Sequence, residues 1–134
     1  MNKKILIVDD DDAILVVMQD ILENAGLESV ICKTGGEALT EIDREVYSAA
    51  IIDINLPDMH GREVLSALKK RNHFSHAYVL TGAPSMVELS EFIDCGALDF
   101  FAKSELDIPY IVESIQFGLK RQEKWKSLFR TFIK

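Results

Sequence analysis

Residues 48–61 set the architecture of this chain and read Ser48-Ala49-Ala50-Ile51-Ile52-Asp53-Ile54-Asn55-Leu56-Pro57-Asp58-Met59-His60-Gly61. A short apolar run that ends in turn residues is typical of a strand buried on both faces of a parallel sheet. Asp53 then lies where this strand ends and a loop begins. Because ligands bind at the carboxyl ends of strands in open α/β sheets, Asp53 is a candidate functional residue. The alternative is a carboxylate that only caps a turn.

The rest of the chain alternates between apolar strands and amphipathic helices. The other predicted strands are 4–8, 29–32, 77–80 and 98–102. Five strands that each precede a helix predict a parallel sheet covered on both faces by right-handed crossovers. We therefore expect an α/β fold of the (βα)5 flavodoxin-like type, a three-layer sandwich with strand order 2-1-3-4-5.

Apolar residues at three- and four-residue spacing mark the side of each predicted helix that faces the sheet. Asp11 or Asp12 is expected to cap the first helix, and Gly26 to follow its end. Pro84 suits the first turn of the fourth helix, and Asp107 is expected to cap the fifth. The residues expected to face the sheet are Ile14, Val17, Met18, Ile21, Leu22, Ala25, Ala38, Leu39, Ile42, Val46, Val64, Leu65, Leu68, Val87, Leu89, Phe92, Ile93, Ile111, Val112, Ile115 and Leu119.

Length and composition are those of one ordinary soluble domain. The chain has 134 residues, of which 48% are apolar and 28% are charged. A domain of this size buries about two-thirds of its unfolded surface without disulfides or a structural metal. Cys32 and Cys95 fit neither a disulfide framework nor a metal-ligand spacing, so we expect two buried thiols in a reducing compartment. No run is long enough for a signal-peptide core or a membrane span, which predicts a cytoplasmic protein with no membrane partner.

Charge is distributed unevenly along the chain. The net charge is −7, but residues 120–134 hold six basic residues and one acidic residue, so residues 1–119 carry −12. An acidic body argues against direct binding of nucleic acid, because contacts to phosphates need Lys and Arg. It is compatible with binding of a metal cation.

Polar residues stand at the carboxyl ends of four strands that are otherwise apolar. Asp9 and Asp10 follow the first strand, and Asp53 ends the third. Thr81 follows the fourth strand, and Lys103 follows the fifth. In the expected strand order the three carboxylates share one crevice and need a cation, for which Mg²⁺ is the usual choice. A metal, an ammonium and a nucleophilic carboxylate suit phosphoryl transfer that forms an acyl phosphate. Taken singly, each residue could be a helix cap, a strand end or a surface charge.

These motifs closely resemble the receiver domain of two-component response regulators, of the CheY-like superfamily, over residues 3–120. The matching segments are Ile5-Leu6-Ile7-Val8-Asp9-Asp10, Asp53-Ile54-Asn55-Leu56-Pro57-Asp58-Met59-His60-Gly61, Leu80-Thr81-Gly82 and Phe100-Phe101-Ala102-Lys103. The resemblance implies that Asp53 takes a phosphoryl group from a phosphohistidine on a sensor histidine kinase or a histidine phosphotransfer protein. It also implies that Asp10, Asp53 and the backbone carbonyl of Asn55 bind Mg²⁺, with Asp9 acting through water. Lys103 would pair with Asp53 and then with the phosphoryl group.

The resemblance further implies a switch in the face made by the fourth helix, the fifth strand and the fifth helix. In the family, the threonine at the position of Thr81 moves toward the phosphate and the aromatic residue at Phe100 turns inward. Phe100 replaces a frequent tyrosine, which removes a hydroxyl group. Ser104 replaces the proline that often follows the lysine through a cis bond, and without proline a cis bond costs about 3–4 kcal/mol. Such a domain is not a turnover enzyme: it catalyses its own phosphorylation and a slow autodephosphorylation.

The fifth helix has no stop signal near residue 120. We therefore divide the chain into a receiver domain, residues 1–120, and a basic amphipathic helical extension, residues 121–134. The apolar stripe of the extension needs a partner: the body of the domain, a second copy in a homodimer, or a downstream domain. A homodimer would use this helix or the switching face. A frayed, solvated tail is the alternative, and the chain is either a stand-alone receiver or a piece of a longer regulator.

Three other interpretations are open. An aspartyl-phosphate phosphatase of the haloacid dehalogenase type would use Asp9 and Asp11, but Ala13 stands where such enzymes carry Thr or Val, and Asp53 would have no role. A flavodoxin-like electron carrier needs a phosphate-binding loop after the first strand, where four aspartates would repel the phosphate. The third alternative is a receiver-like docking module that is never phosphorylated, although the expected chemical positions are all filled.

Overall fold

The structure is a computed structural model that describes residues 3–83 and 85–132. Pro84, expected in the first turn of the fourth helix, lies outside the described residues. So do both ends of the chain, residues 1–2 and 133–134.

Within the described residues, five strands alternate with five helices. Their order is β1 (Lys4–Val8), α1 (Asp12–Asn24), β2 (Glu28–Cys32), α2 (Gly35–Arg44), β3 (Ala49–Asp53), α3 (Gly61–Arg71), β4 (His76–Thr81), α4 (Met86–Asp94), β5 (Ala97–Ala102) and α5 (Ile108–Phe132). The strands pair in parallel in the order β2-β1-β3-β4-β5. The predicted (βα)5 sandwich is therefore confirmed.

The core consists of two apolar layers, one on each face of the sheet. Ile5 and Ile7 of β1 pack in the layer beneath α1 and α5, whereas Leu6 and Val8 pack in the layer beneath α2, α3 and α4. All four side chains have no exposed area. Successive residues of a strand point to opposite faces, so a strand covered by helices on both sides must be apolar throughout. This is why the central strands read as continuous apolar runs.

Most helix residues that were expected to face the sheet do so, but four predictions are wrong. The apolar spacing marks one side of a helix without saying how wide its buried stripe is. In α1 the buried stripe is narrow and includes Leu15 but not Val17. The helix α2 ends at Arg44, so Val46 lies beyond it and is not held against the sheet. In α4 only Phe92 is buried. The exposed residues are Val17 at 40%, Val46 at 46%, Val87 at 68% and Ile93 at 57%.

The two cysteines have different environments. Cys32 is buried, as predicted, and burial together with the nearby Glu37 and Glu41 raises the pKa of its thiol to about 12. Cys95 is exposed, so the prediction of a second buried thiol is wrong. The reason is its position at the C-cap of α4, where the chain turns through Gly96 at a φ of 97° before entering β5.

Side chains cap the helices largely as the sequence predicts. Asp11 caps α1, since its carboxylate accepts hydrogen bonds from the backbone N–H groups of Ala13 at 3.0 Å and Ile14 at 3.4 Å. Gly26 follows the end of this helix with a φ of 76°, a conformation that favours glycine. Asp107 accepts from the backbone N–H of Tyr110 at 3.1 Å at the start of α5.

The helix α5 continues without a break past residue 120 and packs against the amino-terminal edge of the sheet. Gln122 is fully buried, and its amide donates hydrogen bonds to the carbonyl oxygens of Ser48 at 3.0 Å and Phe74 at 2.6 Å. Further along, Phe129 meets Phe74 edge to face at 6.0 Å between ring centroids. The body of the domain is therefore one partner of the apolar stripe on the extension.

His76 lies buried at the start of β4, with the Trp125 ring of α5 edge-on at 6.1 Å. Burial lowers the pKa of His76, as do the charges of Lys69 and Arg121, and a hydrogen bond with the backbone of Gly118 opposes them. In the unfolded chain a histidine titrates near pH 6.5. Below that pH the unfolded state takes up the proton more readily than the folded state, so His76 destabilises the fold as pH falls.

We expect the free energy of unfolding to decrease as the pH is lowered from about 6.5. The fluorescence of Trp125, the single tryptophan, should change over the lower range in which the His76 ring itself takes up a proton. Chemical denaturation at several pH values, with an NMR titration of the ring, measures both. His76→Gln should flatten this part of the profile, and His73→Gln, at an exposed position, should not. Equal profiles for the two variants would contradict the assignment.

Among the helices described, none combines the length and the apolar character that a membrane crossing needs.

Candidate functional site

The register of the parallel sheet brings the acidic residues together. Val8 pairs with Ile52, so the next residues, Asp9 and Asp53, leave neighbouring strands at the same edge. One carboxylate oxygen from each of Asp9, Asp10 and Asp53 lies within 4.8 Å of the other two. The crowding of three carboxylates that the strand order predicts is thus present in the structure.

The fourth and fifth strands bring an ammonium group to the same place. Thr81 pairs with Ala102 at the ends of β4 and β5, and the backbone N–H of Lys103 donates to the carbonyl oxygen of Thr81 at 2.8 Å. The side chain of Lys103 then reaches across the sheet edge. Its Nζ lies 2.7 Å from Asp9 Oδ2 and donates to Asp53 Oδ2 at 3.2 Å.

Taken together, burial and the neighbouring charges raise the net pKa of both Asp53 and Lys103. Asp9 has no exposed area and Asp53 is 7% exposed, whereas Asp10 is open to solvent. Burial and the neighbouring charge of Asp9 raise the pKa of Asp53, although Lys103 and a hydrogen bond from the backbone of Asn55 act against them. Burial lowers the pKa of Lys103, but the two carboxylates outweigh it, so the net pKa is raised. Lys103 therefore stays charged.

The pocket has the donor atoms that a hard divalent cation prefers. Asp9 Oδ1 accepts a hydrogen bond from the backbone N–H of Asp11 at 2.9 Å. Asp9 Oδ2 is buried and has no well-aligned hydrogen bond, despite the ion pair with Lys103. A buried carboxylate oxygen with spare acceptor capacity, in a pocket where three carboxylates face one lysine, fits a cation such as Mg²⁺. Asp9, Asp10 and Asp53 are the side chains that could hold it.

The remaining predicted site residues lie on β4, on β5 and in the loop after β3. Thr81 is 6% exposed at the end of β4, and Asn55 is exposed in the loop after β3. A side chain added at Gly82 would meet nothing within 4 Å, so the approach beside Thr81 is open. Phe100 is half-buried and packs against the core layer beneath α2, α3 and α4. The Lys103–Ser104 peptide bond is trans.

The loop after β3 turns back on the strand so tightly that residue 61 must be glycine. The N–H of Gly61 donates to the carbonyl oxygen of Ile54 at 2.6 Å. A Cβ on Gly61 would collide with the carbonyl oxygen of Asp53 and lie 3.1 Å from both Ile52 Cγ2 and the carbonyl oxygen of Ile54. The close return of this loop therefore fixes the backbone from which the Asp53 side chain projects.

Asp58 is a contributor to the site that the sequence did not reveal. Its two carboxylate oxygens accept hydrogen bonds from the backbone N–H groups of Gly35 at 2.8 Å and Gly36 at 2.9 Å. These bonds tie the loop after β3 to the N-terminus of α2 and lower the pKa of the carboxyl group. A sequence reader could have noticed that the first N–H groups of α2 need acceptors and that Asp58 is an acidic residue in the loop after β3. Only the strand order shows that the two segments lie at the same edge of the sheet.

Comparisons with known proteins agree with this geometry. The family model described as response regulator receiver domain matches residues 5–116. The solved structure of a response regulator receiver domain protein (CheY-like) from Methanospirillum hungatei JF-1 is 37% identical, with a TM-score of 0.86 over 92% of this chain and 98% of that chain.

Two curated proteins of Bacillus subtilis differ in how much of them the chain spans. Sporulation initiation phosphotransferase F is 28% identical over 127 residues, which are 95% of this chain and 98% of that protein. Alkaline phosphatase synthesis transcriptional regulatory protein PhoP is 31% identical over 103 residues, which are 77% of this chain and 43% of that protein. The chain thus spans nearly all of the first relative and less than half of the second. With the family model matched over most of its length, the chain belongs to the family of response regulator receiver domains.

Proposed function

We propose that this chain is a phosphoacceptor domain that receives a phosphoryl group on Asp53 from the phosphohistidine of a sensor histidine kinase or a histidine phosphotransfer protein. The observation that carries the proposal is the pocket itself. The Asp53 carboxylate lies 3.2 Å from Lys103 Nζ, and one of its oxygen atoms lies within 4.8 Å of one oxygen atom of Asp9 and one of Asp10. Receiver domains are signalling modules, and the first curated relative is itself named a phosphotransferase.

In the transfer step, a carboxylate oxygen of Asp53 donates an electron pair to phosphorus and forms an O–P bond. The N–P bond of the phosphohistidine breaks, and its electron pair returns to the imidazole nitrogen, which takes up a proton. Lys103 pairs with Asp53 before transfer and with a phosphoryl oxygen after it, while the Thr81 hydroxyl donates to another of these oxygens. The product is an acyl phosphate on Asp53.

Asp9, Asp10 and Asp53, together with the backbone carbonyl of Asn55, would hold Mg²⁺ at this pocket. When bound, Mg²⁺ neutralises charge on the phosphoryl oxygens. The unaligned buried oxygen of Asp9 supports this assignment. The single phosphoryl group is then lost slowly by hydrolysis, so the domain is a switch and not a turnover enzyme.

The new charge is transmitted to the face made by α4, β5 and α5. Thr81 moves toward the phosphate, and Phe100, now half-buried, fills the space that opens. The β5 residue Asp99 accepts hydrogen bonds from Tyr110 and Ser114 of α5, both at 2.6 Å. These bonds make β5 and α5 respond together, which supports a concerted change of this face. A partner, a downstream output domain or a second copy would read it.

Incubation of the protein with acetyl phosphate and Mg²⁺, followed by intact mass measurement, tests the proposal. The expected result is a mass increase of one phosphoryl group per chain and no further increase with time. An unchanged mass would overturn the phosphoacceptor function, and rapid hydrolysis of the donor without a labelled chain would favour an enzyme instead.

We expect Mg²⁺ to stabilise the fold through Asp10. A ligand that binds the folded state alone adds about 2.7 kcal/mol at one hundred times its dissociation constant. Thermal unfolding with increasing MgCl₂ should therefore shift upward for the unmutated protein and much less for Asp10→Ala. Asp12→Ala is the matched control, because this exposed residue lies in the same acidic run but outside the three-carboxylate cluster. Equal responses of the two variants would argue against a specific site.

A further inference from the structure

The helix α5 passes over the start of β4 at a distance that only glycine permits at position 118. A Cβ on Gly118 would collide with the hydroxyl oxygen of Tyr78 and lie 3.1 Å from His76 Cδ2. Glycine weakens a helix more than any residue except proline, because it loses the most conformational freedom when it becomes helical. The described part of the extension, residues 121–132, therefore begins just after a weak point of the helix.

Few contacts hold this segment against the domain. Gln122 donates two hydrogen bonds to carbonyl oxygens of the sheet edge, at 3.0 Å and 2.6 Å. The ring of Trp125 lies edge-on to His76, and the ring of Phe129 lies edge-on to Phe74. Beyond residue 120, Gln122 is nevertheless the only described residue of α5 that is buried, and Trp125 and Phe129 are 40% and 54% exposed. The extension is therefore the part of α5 that can separate from the domain at the lowest cost in free energy.

The imidazole ring of His76 is poorly placed to carry a proton while α5 covers it. The residue is 5% exposed, and its Nε2 has no well-aligned hydrogen bond among the described residues. The charges that act on the ring belong to Lys69 of α3 and Arg121 of α5, and both are positive. Its pairing partner on β3 is an alanine, and Glu123, the one acidic residue of the extension, is ion-paired with Lys3 at 3.6 Å. A proton on His76 would therefore add a third positive charge in a place that excludes water.

We propose that protonation of His76 releases the extension while the rest of the domain stays folded. The strand β4 lies between β3 and β5 in the sheet, so it cannot move without disrupting the core. Separation of the helix beyond Gly118 would instead admit water to the imidazolium and take Arg121 away from it. The chain thus contains a pH-sensitive switch at the amino-terminal edge of the sheet, whereas Asp53 lies at the carboxyl edge. The release does not depend on phosphorylation.

Hydrogen exchange of the full chain, measured by NMR from about pH 8 to about pH 5, tests the switch. Once the extension is released, His76 regains the ordinary pKa of a histidine, about 6.5, so release should become more favourable below this pH. The protection factors of residues 121–132, corrected for the effect of pH on intrinsic exchange, should fall by up to about tenfold per pH unit. Urea should change this opening little, because a local release exposes little surface. It should strongly promote exchange in β3 and β4, which requires global unfolding.

Three variants identify the group and the segment involved. His76→Gln should make the opening independent of pH in this range, and His73→Gln, at an exposed position, should behave like the unmutated protein. Phe129→Ala should increase the opening about threefold to tenfold at every pH, because it removes one aromatic contact of the extension. This variant keeps His76 in place, so it tests the segment even where His76→Gln is poorly folded. Equal pH dependence of the two histidine variants, one urea dependence shared by the extension and the strands, or no effect of Phe129→Ala on exchange in the extension would overturn the proposal.

Discussion

Asp53→Asn is expected to abolish phosphorylation of the protein completely. The amide that replaces the carboxylate has no nucleophilic oxygen to form the acyl phosphate, and the other two carboxylates of the pocket do not take over its position at the end of β3. Asp9 is fully buried and ion-paired with Lys103, and Asp10 is exposed and follows β1 rather than β3. Intact mass after incubation with acetyl phosphate and Mg²⁺ should show one added phosphoryl group in the unmutated protein and none in the variant.

The variant should remain folded, so the loss of label cannot be attributed to unfolding. Burial and the charge of Asp9 raise the pKa of Asp53 in the folded state. An acid with a raised pKa destabilises the fold once the pH exceeds its unfolded value, so a neutral amide should unfold at the same temperature or higher near pH 7. Asp12→Asn, at an exposed position, is the control and should keep the label. Label retained by Asp53→Asn would place the phosphoacceptor elsewhere.

The sequence predicted the pocket because its residues stand at the ends of strands whose order follows from general rules. Once β1 and β3 are neighbours, Asp9 and Asp53 must lie side by side, and no detail of side-chain packing is needed. The position of the Lys103 ammonium group is harder to predict, because its long side chain must reach from the end of β5 across β4. The charge of the carboxylates supplies the reason, since it attracts the ammonium to 2.7 Å and 3.2 Å from them.

The features that the sequence missed depend on contacts between distant parts of the chain. The bonds from Asp58 to the start of α2 join residues more than twenty positions apart. Gln122 looks like a solvated residue on a charged helix, yet it is buried, and its side-chain amide donates to the carbonyl oxygens of Ser48 and Phe74 at the sheet edge. The exposure of Val87 and Ile93 likewise depends on how distant elements pack. Periodicity finds the apolar side of α4, but only the packed structure tells how little of that helix the sheet covers.

The loop that follows Asp53 leaves no room for a side chain at Gly61. Gly82, after β4, is not crowded in this way. Neither glycine has a positive φ, so conformational freedom is not the issue at either position. At Gly61 a methyl group would collide with the carbonyl oxygen of Asp53, which is backbone and cannot turn aside. At Gly82 a methyl group would meet no atom within 4 Å. Comparing alanine variants at these two positions therefore separates the effect of steric crowding on stability from any general effect of replacing glycine.

Gly61→Ala is expected to lower the free energy of unfolding by about 2 kcal/mol or more, whereas Gly82→Ala should change it by about 0.5 kcal/mol or less. Because the relief of the collision must displace either the loop or the end of β3, Gly61→Ala should also move the Asp53 carboxylate away from Lys103. We therefore expect slower phosphorylation of the folded fraction, measured as the rate of mass increase well below the melting temperature. Equal stability of the two variants would show that the loop can open without strain, and the fixed position of Asp53 would then need another cause.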